Sequence, residues 1–158
     1  LLSALSLNLV VACGGGSGGG GTATELQGTW NTTCLYNSVW DVYETTRVTF
    51  SGNSFDTSGT DYLDSGCTTV DDTYATTGTF VIGQSLTTSS GLSAKEIDLT
   101  IQTIDGESFA FVFYDIYRID GNKLFTGNTG GFDEDEHDGT TQEKRPIALL
   151  LDLPNTKI

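Results

Sequence analysis

The chain has 158 residues, enough for one hydrophobic core and little more. Seven basic side chains stand against 21 acidic ones, a formal net charge of −14 that repels phosphate backbones and speaks against nucleic acid as a partner. Aromatic residues reach 10%, Thr, Val, Ile and Tyr are plentiful and Met is absent, a mixture that suits half-buried pleated surfaces better than helices.

Residues 1–12 are apolar apart from Ser3, Ser6 and Asn8, carry no charge and are too few to span a bilayer as a helix. With no Met in the chain, upstream residues are expected, and 1–12 reads as the apolar core of an export signal. Val10-Val11-Ala12-Cys13 follows, with a branched apolar residue, a tolerated one, a small one before a cut, then a thiol. The tetrapeptide resembles the lipobox of bacterial lipoproteins, although Val stands where Leu is commonest. The resemblance implies an acylated Cys13, a lipid membrane as partner and, because Gly14 rather than Asp comes next, an outer-membrane address. Each buried CH₂ adds about 0.8 kcal/mol of membrane affinity, so several acyl chains would hold the body without a spanning helix.

The run after Cys13 has seven glycines in the eight positions 14–21. Gly14-x-Gly16-x-x-Gly19 also fits a dinucleotide-binding fingerprint, but that needs a helix opening at the third glycine to present amides to the pyrophosphate. No helical period follows, and each glycine costs a helix about 1 kcal/mol relative to Ala. A slack tether over 13–25 is the better reading, with a typical reach of about 19 Å for twelve flexible residues. A tail without lipid would explain the glycines but not the tetrapeptide before them.

From residue 26 to 158 the chain reads as one all-β domain. Short extended segments are predicted at 26–36, 42–50, 54–63, 73–82, 94–104, 107–119, 123–127 and 146–153, separated by turn signals. Ser51-Gly52-Asn53, Asp105-Gly106 and Asp120-Gly121-Asn122 place residues tolerant of positive φ between strands, as hairpins require. Strands joined in this way pair as antiparallel neighbours and form a meander. Ile97, Leu99 and Ile101 alternate with Asp98, Thr100 and Gln102, one face inward and one in water. In 107–119, Phe109, Phe111, Phe113 and Tyr117 share one face while Val112, Tyr114 and Ile116 share the other, so that strand is buried on both faces or borders a cavity.

Three cysteines leave one over. With Cys13 assigned to lipid, Cys34 and Cys67 are expected to form a disulfide in an oxidising envelope compartment. A metal pair, the alternative, lacks further ligands at metal-site spacing.

Leu26-x-Gly28-x-Trp30 at the start of the first strand resembles the opening motif of the lipocalins and related calycin barrels. The likeness implies a small antiparallel up-and-down barrel of about eight strands, with a β-sandwich as the alternative. It also implies that Gly28 and Trp30 close one end, the Trp covered by an Arg from a late strand, here Arg118 or Arg145. The 114–127 segment and the "KRPIALLLD" after it also resemble bacterial lipoproteins with lipocalin-like domains. The helix that follows the last strand in larger lipocalins is missing.

The aromatic residues Trp30, Phe80, Phe109, Phe111, Phe113 and Tyr117, with Trp40 and Tyr74, either fill the interior or line a ligand cavity. The acidic run 131–139 carries the only His. Asp133, Asp135 and Asp138 loosely match a calcium loop but lack its Gly and terminal Glu spacing, so a solvated loop tip is expected. A hydrolase would have to use His137 there, and no G-x-S-x-G elbow exists, so neither an enzyme nor a cofactor is expected. The function expected is binding or carrying a small hydrophobic ligand at the envelope. A structural or adhesive module contacting a protein or polysaccharide is the alternative, and no protein partner is identified.

Overall fold

The computed structural model describes residues 24–38, 40–130 and 136–158. Cys13, the glycine run, Asp133 and Asp135 lie outside them. The described residues contain strands and turns but no helix. The strands are β1 (Gly28–Asn31), β2 (Leu35–Asn37), β3 (Val42–Ser51), β4 (Ser54–Tyr62), β5 (Val70–Thr87), β6 (Ser93–Ile104), β7 (Glu107–Asp120), β8 (Lys123–Thr126) and β9 (Asn155–Lys157).

Every neighbour pair is antiparallel, and β1 pairs with both β9 and β3, which closes the sheet. β1 and β2 lie in line on the same edge of β3, opposite Arg47–Phe50 and Val42–Glu44 respectively, so eight strand positions complete the ring. Between them Thr32 keeps the edge paired. Its amide donates to the Thr46 carbonyl, and its hydroxyl accepts the Thr46 amide at 2.6 Å. The predicted strand 26–36 is thus split at this point. The architecture is a small up-and-down, lipocalin-like barrel, not a sandwich.

The hairpins form where the turn residues predicted them. Asp105 and Gly106 both take positive φ, 51° and 82°, and alone connect β6 to β7; Gly52 and Gly121 supply a φ of 61° at the other two turns. The predicted last strand does not form. Residues 146–153 make a single bridge, Gly127 to Leu149, and regular pairing resumes only at Asn155, past Pro154. Pro146 and Pro154 lack the amides a ladder needs at both ends of that segment. Leu149 packs instead on the outside of the barrel with Ala94 and Ile116, while Leu150 and Leu153 line the cavity within it. That second cluster explains why β7 is apolar on both faces.

The main core fills the lower half of the ring: Leu26, Trp30, Phe50, Phe55, Phe80, Ile97, Ile101, Tyr117 and Leu124. Ile97, Leu99 and Ile101 all point to it, as their alternation requires. Chain direction puts the turns at 51–54, 87–93 and 120–123 at this end. The turns at 37–42, 62–70 and 104–107, with the long connection 127–154, stand at the other. Cys34 and Cys67 are bridged there, Cα atoms 5.8 Å apart, tying the β1–β2 break to the β4–β5 turn. The Asp64 carboxylate organises that turn by accepting the amides of Gly66, Thr68 and Thr69, bonds that hold it down at a pKa of about 2.

Candidate ligand cavity and the closed end

Trp30 shuts the lower end. It is 1% exposed, and its indole N–H donates to the Leu26 carbonyl at 2.7 Å, so the polar edge of the ring is satisfied inside the core. Lys157 lies over the ring, its Nζ 5.0 Å from the centroid. Gly28, at φ +113°, makes room for it, because a Cβ there would meet Lys157 Cε at 3.2 Å. The covering cation is therefore Lys157 from β9, not Arg118 or Arg145. β9, rather than the predicted 146–153 strand, sits beside β1, and so its residues reach the Trp.

The two arginines have other work. Arg118 donates to the Ser93 carbonyl at 3.0 Å and approaches Asp120 at 3.5 Å on the outer surface. Arg145, 8% exposed, staples the 127–154 connection onto the outside of β6 and β7. It donates to the carbonyls of Asp115 and Ile97 and to Asp98 Oδ1 at 2.6 Å, with its guanidinium over the Tyr114 ring. Glu25 is already part of the folded body, not tether. It accepts Lys95 Nζ at 2.6 Å and the Tyr117 hydroxyl at 2.7 Å, and this pairing lowers its carboxyl to a pKa of about 2.

Above the core a cavity of about 340 Å³ opens toward the disulfide end. Its floor is apolar, with Val48, Phe50, Phe55 and Leu124, and Leu99 and Phe113 carry the apolar lining up the wall. Polar groups share the wall, Asn37, Glu44, Thr46, Tyr74, Asp115 and Asn155, and Trp40 stands at the rim, 54% exposed. Tyr74 folds over Gly59, its cross-strand partner, where any Cβ would collide with the ring, and its hydroxyl lies 3.1 Å from Thr46 Oγ1. The missing side chain at Gly59 is what allows a tyrosine inside a ring this small.

Of the eight aromatic residues the sequence offers as core or cavity lining, Phe113, Trp40 and Tyr74 line this space. Trp30, Phe80 and Tyr117 are consumed by the core below it. Phe111 packs against that core, and Phe109 is 51% exposed with its ring against Phe111. Here β7 shifts register against β6 between Ile101 and Thr103, and that irregularity turns Phe109 out of the alternation. The polar wall escaped the sequence reading because Glu44, Asp115 and Asn155 come from three strands and carry no local spacing signal. The one visible hint was Asp115, an acid in the middle of an otherwise apolar strand face.

Asp115 is 6% exposed. Its Oδ1 accepts the amides of Ile116 at 2.7 Å and Gly127 at 3.0 Å. Burial is the largest influence on it and raises its pKa to about 6, against the opposing pull of the two amides and Arg145. Glu44 is also raised by burial, although Asn37 Nδ2 donates to it at 2.9 Å. A carboxyl whose folded-state pKa is raised holds its proton while the unfolded chain has lost its own, so stability falls as pH climbs from about 4 to about 6. Asp115→Asn keeps an Oδ1 for both amides and removes the charge. At pH 7.5 it should resist urea better than the parent by about 3 kcal/mol, with the gap closing to about 0.5 kcal/mol at pH 4. Equal midpoints at pH 7.5 would show that Asp115 carries no such penalty.

At the acidic run, Asp138 is 3% exposed and already satisfied. It accepts the Thr140 amide and hydroxyl and forms an ion pair with Lys144 at 2.8 Å. These bonds hold its pKa near 2, and they engage the oxygens a calcium ion would need. No cluster of three metal-binding side chains exists among the described residues. Comparison of the chain with protein families and with curated proteins finds no match.

Proposed function

We propose that the protein is a lipid-anchored envelope protein, held by acylated Cys13 at the outer membrane, that binds or carries a small hydrophobic ligand inside its barrel. One observation carries the reading: a cavity of about 340 Å³ with an apolar floor, closed at one end by Trp30 and open at the other. That volume is within the range of small-molecule sites, and its mix of apolar floor and a few polar groups is the usual composition of one. The barrel supplies a rigid container, so the ligand need not pay for ordering it.

Native mass spectrometry of protein extracted from envelopes tests the carrier role, with a copurifying small lipid or amphiphile as the expected result. Protein that carries nothing and takes up no apolar probe would overturn it. The anchor is tested separately. Cys13→Ser should move the protein from the membrane to the soluble fraction, and continued membrane association would rule out lipidation at that residue.

A further inference from the structure

Resting on the carrier reading, we infer that the ligand is a cationic amphiphile: an apolar tail bearing a primary or quaternary ammonium head that sits among Glu44, Asp115 and Asn155. The tail would lie on Val48, Phe55, Leu99 and Phe113, and the head against the polar groups of the wall of the same cavity.

Three features of that wall point to a positive head. The first is its charge. Glu44 and Asp115 both line the cavity, while among the described residues no Lys, Arg or His does. The second is position. Glu44 is on β3 and Asp115 on β7, which lie four steps apart in either direction around the ring, so the two acids come from opposite walls of the cavity. A cation held in the cavity therefore has an acid on two opposite walls. The third is an orphan acceptor. Asn155, 9% exposed, lines the cavity with its Oδ1 buried and without a hydrogen-bond partner. Such an atom costs about 1 to 3 kcal/mol until a donor reaches it.

The electrostatics agree. Burial holds both carboxyls above their usual range, so their own neighbours do not fully compensate the charge; Arg145 reaches Asp115 only from the outer face. A bound ammonium would provide the missing counter-charge and donate to Asn155 Oδ1. A fatty acid of the same length would bring a third carboxylate into the site, and like charges in a low-dielectric space repel.

The test compares three probes with one ten-carbon chain, decylamine, decanol and decanoate, titrated calorimetrically into the purified protein at pH 7.5. Decylamine is expected to bind with one-to-one stoichiometry, at least tenfold tighter than decanol, and decanoate weakest. Glu44→Gln with Asp115→Asn should lower the affinity for decylamine at least tenfold and leave decanol unchanged. Both replacements retain an acceptor oxygen, and the variant stays strongly acidic, so non-specific attraction of the amine to the surface would survive them. Circular dichroism and the urea midpoint establish that the variant is folded. Decanol or decanoate binding as tightly as decylamine would overturn the cationic ligand while leaving the carrier intact. If none of the three binds, the carrier reading fails with it.

Discussion

Trp30→Ala is expected to lower the unfolding free energy by about 3 to 5 kcal/mol, the range for truncating a large aromatic residue in a core that cannot collapse around the gap. Trp30 is one of the largest fully buried side chains, and it sits at the closure between β1 and β3, opposite Val48. Its loss opens a cavity and also leaves the Leu26 carbonyl without the indole donor. Domains of this size have about 5 to 15 kcal/mol to lose, so the variant should lie near the edge of stability. Urea unfolding followed by circular dichroism measures it. A loss under 1 kcal/mol would mean that the lower end of the barrel holds without its plug. Trp30→Phe, which keeps most of the volume but not the N–H, should fall between the parent and Ala.

Removing the disulfide is the second large effect. The Cys34→Ala, Cys67→Ala double variant should lose about 3 to 4 kcal/mol, because the bridge joins residues 33 apart and restricts the unfolded chain by that loop. Dithiothreitol should reproduce the loss in the parent and leave the double variant unmoved. That comparison separates the cross-link from the packing of two small side chains. Identical urea midpoints for reduced and oxidised parent would show that the bridge contributes nothing. Since the bridge ties the open end, where the cavity lies, its removal should also weaken ligand binding.

Much of the fold was legible because it is local. The alternation of Ile97, Leu99 and Ile101 placed β6 correctly, and Asp105-Gly106 located its hairpin, since residues that tolerate positive φ mark the turn directly. The error at 146–153 has a local cause too. The segment is apolar enough for a strand, but it lies between two prolines, and an apolar run does not say whether it pairs or merely covers. The candidate site was far less legible. Four of the eight aromatic residues read as core or cavity lining pack in or against the core, and the acids and the orphan amide of the wall come from β3, β7 and β9.

The sequence by itself determined the strands between 42 and 126, the inward face of β6, the meander and the expected pairing of the two cysteines in the body, because each depends on residues close in the chain or on elimination among three thiols. It also carried everything that concerns Cys13. Only the tertiary structure decided that the sheet closes, since alternation sets which side chains face inward but not whether β1 meets both β3 and β9. Closure in turn chose Lys157 over the arginines as the cover for Trp30. It also brought Glu44, Asp115 and Asn155 into the wall of one cavity, a juxtaposition that exists only in three dimensions.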